Sequence, residues 1–200
     1  MFVILLRSNA PRRIGLGSDR VFLIFTDACF EPGECNTMCG VGGVLVDGCG
    51  TIANFFSYEL CDKAKDLLGV ADKKQCIYEA ETLAATVAFH LWGPCIQGCK
   101  CVIFVDNEAT KFALISAQGA NDVVSSLTNK FALCEAEKQS HSWVARVASK
   151  SNIADDPSRG VCQPLLSMGA CDDSGVVPDL TMNLLKRPDN LQLTSKGETS

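Results

Sequence analysis

One stretch constrains this chain more than any other. Residues Val21 to Phe30 read VFLIFTDACF, an almost unbroken run of aromatic, β-branched and small apolar residues. Such a run fits a strand buried on both faces, because an edge or half-exposed strand alternates polar and apolar positions. Asp27 sits inside it. An ionised carboxylate in that setting is costly unless it is paired or meets a cation. Any fold for this chain must therefore surround the strand with apolar layers and give Asp27 compensation. The chain can supply the layers: it has 200 residues, 47% of them hydrophobic and 20% charged, the balance of a globular domain rather than a disordered one.

The elements around this strand follow from pattern. Val41 to Val46 (VGGVLV) and Thr51 to Tyr58 (TIANFFSY) read as two further strands joined by the turn Asp47-Gly48-Cys49-Gly50. Short connections among the first three strands imply an antiparallel meander. Glu59 to Gln75 is polar and reads as a loop or short helix. From Ile77 to Trp92, Ala80, Leu83, Ala84, Val87, Ala88 and Leu91 recur at helical spacing, and Gly93-Pro94 stops the helix. Cys101 to Val105 (CVIFV) is a fourth strand. Helices follow over Glu108 to Ala117 and from Asn121 or Asp122 to about Lys138. Ser142 to Ala148 is a fifth strand, and residues 151–160 read as a turn leading into a short helix. The expected organisation is a leader over 1–20, one domain over 21–165, and a loosely structured tail over 166–200, where Gly169, Pro178 and Pro188 interrupt the pattern.

Acidic residues fall at informative points of this β-β-β-α-β-α-α-β order. Asp27 lies in the first strand and Asp106 ends the fourth. Glu79 and Glu81 both border the apolar face of the first long helix, on opposite sides, and helical geometry does not choose between them. Asp155 and Asp156 adjoin each other after the last strand, and either serves equally as a helix N-cap. Several acids held against a core point to a shared cation. Mg2+ prefers carboxylate and phosphate oxygens, and two such ions roughly 3.5–4 Å apart suit phosphodiester hydrolysis.

These segments together carry a family resemblance. IFTDACF, EAETLAATVAFHLW, VIFVDNEA and SNIADDPSRG, in that order and over roughly residues 20–160, resemble the ribonuclease H domain of retroelement reverse transcriptases. The resemblance implies a ribonuclease H-like α/β fold: a five-stranded mixed sheet, strands 1–3 antiparallel and the next two parallel, with helices on both faces. It selects Glu81, which directly precedes Thr82-Leu83-Ala84-Ala85, and Asp155, which follows Ala154 and precedes x-x-Ser158-Arg159. It implies that Asp27, Glu81, Asp106 and Asp155 are both catalytic residues and metal ligands, holding two Mg2+ ions or Mn2+. The implied reaction is hydrolysis of the RNA strand of an RNA–DNA hybrid, leaving a 5′ phosphate. The implied partners are the hybrid or another nucleic acid, and a polymerase domain in a larger polyprotein. The loop Ser149-Lys150-Ser151 lacks the histidine that active members often carry there.

Two features bear on competing readings. The net charge is −5, so no global basic footprint marks a nucleic-acid binder, and a catalytically silent ribonuclease H-like module is the alternative function. Lys100, Lys111, Lys130, Lys138, Arg146, Lys150 and Arg159 are candidates for a phosphate path, with Arg159 also placed to pair with a nearby Asp. Asn107 reads equally as a helix cap or a sugar contact. Twelve cysteines invite a disulfide or zinc reading, but their spacings lack paired C-x2-C units. The apolar run Phe2 to Leu6 is too short for a signal peptide core or a membrane span. The expectation is an intracellular protein with reduced cysteines used as small hydrophobes and no membrane partner.

Overall fold

The computed structural model describes residues 20–31, 33, 37–69 and 76–186. Six strands form one mixed sheet: β1 (Val21–Glu31), β2 (Met38–Val46), β3 (Ile52–Glu59), β4 (Lys100–Val105), β5 (His141–Arg146) and β6 (Cys171–Asp172), in spatial order β5-β4-β1-β2-β3-β6. β1 pairs antiparallel with β2 and parallel with β4; β2–β3 is antiparallel, and β4–β5 and β3–β6 are parallel. The helices are α1 (Asp62–Leu68), α2 (Ile77–Leu91), α3 (Gly93–Ile96), α4 (Glu108–Ser116), α5 (Asp122–Lys138), α6 (Asp155–Ser158), α7 (Gln163–Ser167) and α8 (Val177–Leu185).

The interior position of β1 explains its sequence. Alternate side chains enter two separate cores. Ile24 and Ala28 join the larger one with Leu83, Val87 and Phe89 of α2 and Leu127 and Phe131 of α5. Leu23 and Phe25 border the smaller one, formed by Val44, Val46, Phe55, Ala154 and Leu165 beneath α6 and α7. Helices thus cover both faces. α2 crosses the centre of the sheet, and its run from Glu79 to Phe89 is buried without a break. Its alanines let the helix approach the strands closely, at the cost of burying Glu79 and Glu81 as well.

Two expectations need correction. The sheet has six strands, not five, because residues 171–172 add a short strand beside β3. The expected loose tail from 166 is folded through residue 186. Val177, Leu184 and Leu185 enter the larger core and Ala170 the smaller one. Asp173 Oδ2 accepts from Asn54 Nδ2 and from Trp92 Nε1, each at 2.9 Å, and Lys130 Nζ donates to the Leu184 carbonyl and, at 2.9 Å, to that of Lys186. Pro178 misled the pattern: it stands in the first turn of α8, where a missing N–H costs nothing. The expected leader, apart from Arg20, and residues 187–200 lie outside the described residues.

The short helix α6 is positioned by glycines. A Cβ on Gly42 would lie 2.3 Å from the Ser158 nitrogen and 2.7 Å from the Pro157 carbonyl carbon. One on Gly40 would lie 2.2 Å from the Ser158 oxygen. β2 therefore meets the α6 backbone directly, and only glycine permits that approach.

Two expected outcomes test this packing. Gly42→Ala lowers stability by at least about 1–3 kcal/mol, the usual overpacking cost, because the clash is with backbone. Leu184→Ala costs about 2–5 kcal/mol in urea denaturation, whereas a residue in a loose tail would leave the midpoint unchanged.

Candidate active site

Parallel register brings the first two carboxylates together. β1 and β4 are paired up to Phe25 opposite Phe104. Two residues beyond that pair stand Asp27, inside β1 and opposite Gly42 of β2, and Asp106, just past the end of β4. The other two acids come from opposite sides of the sheet: Glu81 from α2 and Asp155 from the start of α6. The four sequence-selected residues thus meet in one region. Asp27 lies within hydrogen-bonding reach of Asp155 and feels the charge of Asp106. Glu81 lies within reach of Asp106 and feels the charge of Asp27.

Asp27 and Glu81 are buried, at 5% and 6% exposure. Burial, followed by the neighbouring Asp106, raises the Asp27 pKa to about 7, against a lowering hydrogen bond from Ser158. Burial raises Glu81 to about 8, with Asp106 and Asp27 adding to it and Asn107 opposing. Two carboxyls in mutual hydrogen-bonding reach are stable only when one holds a proton or a cation lies between them. Glu81 Oε2 and Asp106 Oδ1 are buried and have no hydrogen-bond partner. Orphaned, hard oxygen donors of this kind suit a hard divalent cation.

Among the described residues, no group of three His, Cys, Asp or Glu side chains is gathered as a metal-binding set.

Polar neighbours hold the acids in place. Ser158 Oγ lies 2.8 Å from the Asp155 carbonyl and 3.2 Å from Asp27 Oδ2, its one proton shared between the two acceptors. Asn107 caps α4, its Oδ1 accepting from the Ala109 and Thr110 amides, while its Nδ2 donates to Glu81 Oε1 at 3.4 Å. Arg159 Nε donates to Asp155 Oδ1 at 3.1 Å and its Nη1 to Glu31 Oε1 at 2.8 Å. Sequence reasoning missed Ser158 and Glu31; the x-x-Ser-Arg end of the last segment held the signal for the first.

The remaining candidates lie elsewhere or are engaged. Glu79 is buried and accepts from Asn121 Nδ2 at 2.8 Å, tying α2 to the N-cap of α5. Asp156 is exposed. Lys130 serves the carbonyls at the end of α8 rather than a phosphate path. Lys111 bridges Glu108 at 2.7 Å, and Arg146 Nε donates to the Asp106 carbonyl at 3.2 Å. All described cysteines are free thiols, and Cys29, Cys39, Cys76, Cys99, Cys101 and Cys134 are buried; Cys35 lies outside the described residues. No described helix is long and apolar enough to cross a membrane.

No protein-family model and no curated protein matches the chain. Solved structures do. The ribonuclease H1 of the halophilic archaeon Halobacterium salinarum is 16% identical, with a TM-score of 0.54, over 72% of this chain and 98% of that one. The N-terminal ribonuclease H domain of a Mycobacterium tuberculosis protein is 11% identical, over 75% and 99% of the two chains, with a TM-score of 0.49. A compost-derived ribonuclease H1 in complex with an RNA/DNA hybrid is 15% identical, over 74% and 99%, with a TM-score of 0.48. The archaeal likeness carries the comparison, and what it establishes is architecture: this chain has a ribonuclease H-like fold.

Proposed function

We propose that the chain is a metal-dependent endonuclease that hydrolyses the RNA strand of RNA–DNA hybrids, and that it derives from a retroelement polyprotein. One observation carries this reading: carboxylates from β1, the residue after β4, α2 and α6 are electrostatically coupled beside a ribonuclease H-like sheet, and two of their buried oxygens have no partner. The SNIADDPSRG segment supports the retroelement origin. Asp27, Glu81, Asp106 and Asp155 are the proposed ligands of Mg2+, or of Mn2+ in its place. Bound there, the ions would supply water activation and stabilisation of the leaving oxygen.

The chain's own residues do the rest. Ser158 and Asn107 fix the carboxylate planes of Asp27 and Glu81 through hydrogen bonds. Burial disfavours the charged form of both groups, so each would release its proton to solvent more readily when a cation takes the proton's place. Recognition of RNA against DNA rests on the 2′-hydroxyl and the helix shape. A second reading, a catalytically silent module that binds nucleic acid or serves as structure, is favoured by the net charge of −5.

Hydrolysis of a labelled RNA–DNA hybrid decides between them. The expected outcome is cleavage that requires Mg2+ or Mn2+ and falls roughly 100-fold or more in Asp106→Asn. Hybrid binding without cleavage by folded protein, with either ion, would establish the silent module.

The raised carboxyls predict a linked stability effect. An acid whose pKa is higher in the folded than in the unfolded chain stabilises fully below its unfolded value and loses that contribution as pH rises through the folded one. For Asp27 and Glu81 the loss extends through about 7 and about 8. Ion-free protein should therefore lose stability between about pH 4 and about pH 8, and Mg2+ should restore it at the alkaline end. Asp27→Asn and Glu81→Gln should each flatten the profile in urea titrations with and without chelator.

A further inference from the structure

The fold leaves Asp155 the least constrained of the four acids. Asp27 is fixed by its pairing with Gly42 of β2, Asp106 directly follows β4, whose last residues pair with β1 and β5, and Glu81 sits in a helix of fifteen residues. Asp155 opens α6, which has only four residues and no side-chain N-cap. Its place depends on tertiary contacts, and these run along one strand. Asp27, Cys29 and Glu31 alternate onto the same face of β1, and each bonds to the α6 turn: Ser158 Oγ to Asp27, Cys29 Sγ to the Ser158 carbonyl at 2.9 Å, and Arg159 to Glu31.

We propose that Arg159 is a positioning residue, anchored by Glu31 at the end of β1, that holds the Asp155 carboxylate toward Asp27 and so completes the ion-binding set; this rests on the metal-dependent reading above. The guanidinium suits the task. Its rigid fork contacts two carboxylates with two different nitrogens, Nε to Asp155 at 3.1 Å and Nη1 to Glu31 at 2.8 Å, so the angle between the two acids is set by one planar group. A lysine offers one nitrogen and cannot fix both directions. The bond to Asp155 also leaves the carboxylate's other oxygen, Oδ2, outside the clamp. Glu31 is exposed and contributes to neither core. Its pairing with Arg159 is therefore separable from the folding of the domain.

The test uses the full chain and the variants Arg159→Ala, Arg159→Lys, Glu31→Ala and the double alanine variant. Cleavage of an RNA–DNA hybrid is followed against Mg2+ concentration, and amide hydrogen exchange is followed over residues 158–161. The expected result is a rise of about 10- to 100-fold in the Mg2+ needed for half-maximal rate in either alanine variant, as for other groups that orient metal ligands, with KM for the hybrid unchanged. The double variant should be no worse than the worse single one, Arg159→Lys should recover part of the loss, and exchange should quicken in both single alanine variants. Native behaviour in Glu31→Ala alongside a defect in Arg159→Ala would overturn the proposal, because Arg159 would then act without its anchor. A raised KM at unchanged Mg2+ dependence would overturn it in favour of a direct phosphate contact. A lower melting temperature with an equal rate loss at every Mg2+ concentration would reduce the pair to structure. If the native chain cleaves no hybrid, the proposed function fails separately, and Mn2+ binding together with exchange judges the clamp: weaker binding and faster exchange in Glu31→Ala sustain it, and no change in either removes it.

Discussion

The site depends on holding acidic side chains close together with two of them, Asp27 and Glu81, out of water. Two carboxylates some 4–5 Å apart repel by roughly 3–4 kcal/mol at an effective dielectric of 20, and burial adds a desolvation cost to each. A surface ion pair returns about 0–1 kcal/mol. The Arg159–Asp155 contact is of that exposed kind and so cannot offset the repulsion. Proton sharing can, and the raised values of Asp27 and Glu81 show the protein moving in that direction. The cluster persists because the surrounding layers over-determine it. β1 cannot shift without moving Ile24 and Ala28 out of one core and Leu23 and Phe25 away from the other.

The scaffold supplies the four acids with unequal rigidity, and this shapes how the site works. Strand ends and a long buried helix define three positions to within the precision of packing. The fourth hangs on a single turn pressed against Gly40 and Gly42. Close backbone contact fixes the distance of that turn from the sheet, whereas the side-chain bonds of Ser158 and Arg159 fix its rotation.

How far the sequence reveals this depends on whether each signal is local. The β1 run with its lone acid, the helical spacing from Ala80 to Leu91 and the acid at the end of CVIFV are local patterns, and the structure places all three where those patterns imply. The choice between Glu79 and Glu81 is not local. Both are buried on the same helix, and what separates them is Asn121, which reaches Glu79 from 42 positions away. The C-terminal segment was illegible for a related reason. Its Pro and Gly residues look like breakers until α8 is seen packed on α2 and α5, with Trp92 and Asn54 both donating to Asp173. Glu31 carried no signal at all: an exposed acid at a strand end is ordinary until Arg159 arrives from 128 positions away.

The same geometry bears on the conflict between an acidic chain and a polyanionic partner. Near the cluster, Lys111 pairs with Glu108, Arg146 with the Asp106 carbonyl and Glu108, and Arg159 with Asp155 and Glu31. Cations already engaged by carboxylates do not neutralise a phosphate backbone well, and four acids beside them add repulsion. On the proposed reading the missing positive charge has one economical source, the divalent ions themselves. Each ion that binds the carboxylates removes repulsion among them and at the same time creates attraction for a phosphate. Ion binding and nucleic-acid binding then become one linked equilibrium, in which each strengthens the other by the same factor. A net charge of −5 is in that case no argument against a nucleic-acid substrate. On that reading it is the charge of a protein whose binding surface is complete only when the metal is part of it.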